Sequence, residues 1–127
     1  MWIFLNDRFV PEQDAKISVF DHGFLYGDGV YETIRSYGKR IFMRDHHLSR
    51  LHRSAGAIGL TIPVPPSEWP SLLHEAMDRN QLGNEHTDAY LRITVSRGAG
   101  EIGLDPRSEE HTSELPVTAT SRMPSSA

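Results

Sequence analysis

Arg50 has His47 three residues before it and Ser54 four residues after it, so the three share a polar stripe at helical spacing. A planar guanidinium at the edge of a helix can hold a phosphate bidentately. Spacing alone, however, favours a solvated helix face. Tyr90 and Arg92 alternate with apolar residues, which puts both on the non-core side of a strand. Together they could bind a carboxylate, or they could form an exposed sheet surface. Tyr31 and Arg35 carry the same two readings.

Other motifs are weaker. Gly98-Ala99-Gly100-Glu101-Ile102-Gly103 matches the dinucleotide fingerprint in letters and follows a strand. The fingerprint also needs a helix opening at the third glycine and an acidic residue ending the next strand. Here Leu104-Asp105-Pro106 follows, which leaves no room for that unit, so a glycine-rich loop is the better reading. The chain has seven histidines. His46 and His47 point about 100° apart on a helix, and His47 and His52 share a face poorly. No zinc-type spacing is present, and no metal is expected. No Ser-His-Asp or paired-carboxylate arrangement is recognisable.

The elements that must position these residues read as an α+β domain. Trp2–Leu5 and Arg8–Val10 form a hairpin around Asn6-Asp7. Asp21–Gly29 reads as a glycine-rich loop. In Val30–Tyr37, Val30, Glu32 and Ile34 face one side and Tyr31, Thr33, Arg35 and Tyr37 the other. Gly38-Lys39 turns the chain, and Arg40–Met43 pairs back. Asp45 can cap a helix whose buried stripe is Leu48, Leu51, Ala55 and Ile58, with Gly59 as the stop. A second helix starts near Ser67, accepts Pro70 in its first turn, buries Leu72, Leu73, Ala76 and Met77, and ends at Gly83. Ala89–Val95 is the clearest strand, with Ala89, Leu91, Ile93 and Val95 inward. Half of Ser108–Ala127 is Ser, Thr or Pro without periodicity, and disorder is expected there.

At 127 residues the chain suits one domain with a modest core. It is 38% hydrophobic and 24% charged, within the soluble globular range. Apolar runs such as Trp2–Leu5 are too short to span a bilayer, and the N-terminus reads as no signal peptide. The absence of cysteine excludes disulfides and thiolate chemistry and fits a cytoplasmic protein. A net charge of −4 with no basic run argues against nucleic acid or membrane as partner.

The run Ser18-Val19-Phe20-Asp21-His22-Gly23-Phe24-Leu25-Tyr26-Gly27-Asp28-Gly29-Val30-Tyr31-Glu32-Thr33-Ile34-Arg35 resembles the class IV (fold-type IV) pyridoxal-phosphate enzymes. That family includes branched-chain aminotransferases, D-amino-acid aminotransferases and aminodeoxychorismate lyase. The resemblance continues through His47–Ala55, Asp88–Gly98 and Gly103–Arg107, so it covers residues 1–107 in order. It implies the N-terminal small domain of the branched-chain / D-amino-acid aminotransferase fold, an antiparallel sheet with two main helices, and a homodimer.

The resemblance also implies roles. Arg50 stands at the cofactor-phosphate arginine, Tyr31 at an aromatic position lining the substrate pocket, and Tyr26 at a residue reaching toward the neighbouring subunit's site. Tyr90 and Arg92 stand at the pair that contacts substrate carboxylates in branched-chain enzymes. The Tyr-x-Arg pair and Gly-Leu-Asp-Pro ending resemble the branched-chain branch. Glu32-Thr33-Ile34-Arg35 is shared with the lyase and D-amino-acid branches. The expected reaction is amino transfer between branched-chain L-amino acids and 2-oxoglutarate, with pyridoxal 5'-phosphate as cofactor. A D-amino-acid aminotransferase or aminodeoxychorismate lyase is the sister reading, and a non-catalytic small-ligand or dimerisation domain is the reading from another class.

The family's Schiff-base lysine and its ring-nitrogen carboxylate belong to a larger C-terminal domain. The only lysines, Lys16 and Lys39, match neither motif. No catalytic residue is therefore assigned, and the chain alone is expected to be inactive. Arg107–Leu115 resembles the conceptual translation of a sequencing-library adapter, which marks 108–127 as an expected non-native tail.

Overall fold

A computed structural model describes residues 1–100 and the backbone of Pro116–Thr120. Strand β1 (Trp2–Leu5) turns through Asn6, at φ 65°, into β2 (Arg8–Pro11). Asparagine enters that left-handed region at lower cost than most residues. Helix α1 (His22–Tyr26) precedes β3 (Gly29–Tyr37), and a Gly38 turn leads to the short β4 (Arg40–Ile41). Helices α2 (Arg44–Ala57) and α3 (Trp69–Arg79) follow, then β5 (Ala89–Ser96) and β6 (Pro116–Thr120). All strand pairs are antiparallel, in the order β2-β1-β6-β5-β3-β4. An antiparallel sheet carrying two main helices is the α+β arrangement the sequence predicts.

The long β3–β5 pairing sets the site. Its register places Tyr31 opposite Thr94, Thr33 opposite Arg92 and Arg35 opposite Tyr90, all on one face. The other face presents Ile34, Leu91, Ile93 and Val95 to the helices. Helix α2 adds Leu48, Leu51 and Ala55, and α3 adds Trp69, Leu73, Ala76 and Met77. Burying a side chain of the Leu or Ile class stabilises the fold by about 1.5–3 kcal/mol. That burial holds α2 against β3, and α2 carries Arg50.

Several expectations need correction. Asp21–Gly29 is not all loop: buried Asp21 accepts hydrogen bonds from Gly23 N at 2.7 Å and Phe24 N at 3.3 Å, which starts α1. Asp45 does not cap α2. The cap position is Met43, with no side-chain bond, and Asp45 lies inside the first turn beside Arg44 Nε at 3.2 Å. An acidic residue there still complements the helix dipole. Ile58 follows the last residue of α2 and is exposed, so it leaves the buried stripe. The second helix begins at Trp69 after a 3-10 turn over Pro66–Glu68 and ends at Arg79, before Gly83. Finally, Pro116–Thr120 is a strand, although disorder was expected over 108–127. It fills the gap between β1 and β5, whose backbone groups need partners on that side. The remainder of 108–127, like 101–107, lies outside the described residues.

Candidate phosphate and carboxylate site

Glu32 interrupts the apolar face of β3 and is 6% exposed. A carboxylate so placed needs its lone pairs satisfied. Helix α2 supplies the partners one turn apart. Arg50 Nε donates to Oε1 in a short contact, Arg50 Nη2 donates to Oε2 at 2.9 Å, and His47 Nδ1 lies 3.1 Å from Oε2. A carboxylate only accepts, so the hydrogen of His47 sits on Nδ1. The hydrogen bond from Arg50 holds the Glu32 carboxyl below its ordinary value of 4.5. Burial opposes that shift, and His47 adds to it. The same pair pushes the Arg50 guanidinium upward. Nη1 of Arg50 has no partner among the described residues, and half of the side chain remains exposed.

The opposite face of the sheet holds the other expected residues. Arg92 places its guanidinium 4.3 Å from the centre of the Tyr31 ring, and its Nε donates to Thr94 Oγ1 at 3.4 Å. Tyr90 leans the other way: Arg35 Nη1 donates to its hydroxyl at 3.3 Å, and the Arg35 guanidinium lies over both Tyr37 and Tyr90. The face therefore joins Tyr31 with Arg92 and Tyr90 with Arg35. Tyr26 packs edge-on against buried His22 at 5.1 Å. Beside Tyr31 opens a cleft of about 440 Å³ walled by Phe24, Gly27, Gly29, Val30 and Thr94. Gly23 is required at its base, because a Cβ there would sit 2.6 Å from Ser96 Cβ.

Sequence reasoning missed Glu32. The signal was present as a charge on the apolar side of an alternating strand. Arg35 was noticed but not joined to Tyr90. Of the histidines, His47 is bound to Glu32, and His52 accepts from Trp69 Nε1 at 3.0 Å.

Pyridoxal phosphate makes separate demands at its two ends. A half-exposed guanidinium with one nitrogen uncommitted among the described residues fits the phosphate end. The aldehyde end needs an amine. Lys39 lies beyond the end of β3, at least about 16 Å along the strand from Glu32, and Lys16 lies in the segment before α1.

The structure thus sets arginine–tyrosine couples on an open sheet face, with a half-exposed arginine on the helix that covers the other face. The class IV amino-transferase family matches residues 29–127, and the chain belongs to that family. A Methanocaldococcus jannaschii protein assigned as a branched-chain-amino-acid aminotransferase is 49% identical over 107 residues, covering 84% of this chain and 36% of that protein. A D-alanine aminotransferase of Bacillus licheniformis is 33% identical over 118 residues, covering 88% and 40%. The solved branched-chain aminotransferase of the thermophilic archaeon Thermoproteus uzoniensis, with norvaline, superposes with a TM-score of 0.81 at 31% identity, covering 94% and 40%. The chain thus has the fold of the N-terminal domain of branched-chain aminotransferases and spans about two fifths of the length of its relatives. Among the described residues, no helix is long and apolar enough to cross a membrane.

Proposed function

We propose that the chain is the anion-binding layer of a pyridoxal-phosphate aminotransferase acting between branched-chain L-amino acids and 2-oxoglutarate. The observation that carries this reading is the open sheet face, which presents Tyr31 with Arg92 and Tyr90 with Arg35, Tyr31 lining an apolar cleft. In this reading Arg50 holds the phosphate of the cofactor through its outward edge. Arg92 and Tyr90 bind substrate carboxylates, and Tyr31 and Phe24 wall the space for an aliphatic side chain. The cofactor, when bound, supplies an electron sink for the carbon that exchanges its amino group. The lysine such a reaction needs belongs to the part of the relatives that this chain does not span, so the chain alone does not transaminate. Exposed Phe20, Phe24, Leu25 and Tyr26 suit contact with a second subunit, as a homodimer requires.

The test is amino transfer by the complete gene product. Leucine, isoleucine and valine should each donate to 2-oxoglutarate. Activity on D-alanine alone would select the sister reading, which Glu32-Thr33-Ile34-Arg35 and the Bacillus licheniformis relative favour. For the phosphate role, Arg50→Ala should weaken pyridoxal phosphate binding, measured by absorbance titration.

A further inference from the structure

Glu32 projects from β3 to the covered face, between Val30 and Ile34 on its own strand and opposite Ile93 of β5. Exposure inverts across its ion pair: 7% for the side chain of Glu32 and 50% for that of Arg50. The carboxylate is therefore the fixed end and the guanidinium the accessible one. An arginine on a helix surface ordinarily samples many rotamers. Here Nε and Nη2 are both directed at one buried acceptor group, and guanidinium planarity then sets the direction of Nη1. His47 occupies Oε2 as well, which holds the carboxylate from a second side.

We infer that Glu32 is the positioning residue of the Arg50 anion site, aiming the Nη1 edge out of the β3–α2 seam toward a phosphate monoester without touching that anion itself. The inference rests on the reading of Arg50 as phosphate anchor. Because the Glu32–Arg50 pair is neutral as a unit, the anion is recognised by the direction of the N–H groups more than by net charge.

The experiment uses the full chain labelled with nitrogen-15. The Arg50 Nε–H resonance should be sharp and slow to exchange. Glu32→Asp keeps the charge but shortens the reach by one methylene. It should broaden that resonance and weaken binding of inorganic phosphate and of pyridoxal phosphate roughly tenfold, the scale of one charge-assisted hydrogen bond. A wild-type resonance together with wild-type affinity in Glu32→Asp would overturn the inference. If neither anion binds the wild-type chain, or if Arg50→Ala binds as well as wild type, the phosphate reading of Arg50 falls. The resonance then decides separately whether Glu32 fixes the guanidinium. Should Glu32→Asp fail to fold, Arg50→Lys reads the pair from the other side. One ammonium cannot span both oxygens, so the Glu32 carboxyl carbon should titrate closer to its ordinary 4.5. An unchanged titration would overturn the inference.

Discussion

On the helix-covered face of the sheet, arginines meet carboxylates; on the open face, they lie chiefly against tyrosine rings. Arg50 is bonded to Glu32, and Arg97, 7% exposed, donates to Asp28 Oδ2 and to the Ile58 carbonyl, both at 2.6 Å. Arg92 instead stacks on Tyr31, and Arg35 lies over Tyr37 and Tyr90, with Asp88 at the longer distance of 3.7 Å. The difference is one of availability. A buried charge, Glu32 in one pair and Arg97 in the other, must be neutralised, because an unpaired charge there costs several kcal/mol. An aromatic ring orients a guanidinium through its quadrupole and leaves the N–H edges free. The covered face therefore fixes the frame, and the open face holds its cations against aromatic rings.

Breaking the covered face should have the largest effect. Ile93→Ala removes a fully buried side chain from the centre of the sheet and should cost about 2–5 kcal/mol in a urea melt. Arg97→Ala leaves the partly exposed Asp28 and the end of α2 without their shared partner. It should cost about 1–3 kcal/mol by the same measurement. On the open face, Tyr31→Leu should leave the melt within about 0.5 kcal/mol. In the complete enzyme it should raise KM for 2-oxoglutarate severalfold, because Arg92 loses a contact worth about 0.5–1 kcal/mol. A large loss of stability from Tyr31→Leu would erase the contrast between the faces.

The smallest effect concerns acid. The carboxyl of Glu32 titrates below its ordinary 4.5 in the folded chain. Its contribution to stability is therefore complete above that ordinary value and is lost as pH falls through the lower folded value. The melting temperature of wild type should fall faster below pH 4.5 than that of Glu32→Gln, and parallel curves would separate Glu32 from acid sensitivity.

Local pattern made part of this legible. The period of two in Val30–Tyr37 and Ala89–Val95 identified both strands and both faces, and the stripe from Leu48 to Ala55 identified α2. What pattern could not supply was partnership across distance. Glu32 and Arg50 are 18 residues apart, and nothing local tells a strand carboxylate which helix turn will pass over it. Tyr90 and Arg92 sit one position apart on a face, which suggested a pair, yet each turned to a different neighbour on β3. Helix α1 escaped notice because glycines at 23, 27 and 29 outweighed the single capping carboxylate of Asp21. β6 escaped because a proline-, serine- and threonine-rich stretch carries little intrinsic signal, and the vacant edges of β1 and β5 decide its conformation.

The alternation of β3 has a consequence for how such a sheet can diverge. Positions 31, 33, 35 and 37 face the open side of the sheet, whereas 32, 34 and 36 face the helices. Changes at the odd positions alter the chemistry of the open face and leave the buried scaffold intact. An insertion or deletion of a single codon within the strand would exchange the two sets at once. Selection can therefore explore substitutions here freely and length changes hardly at all.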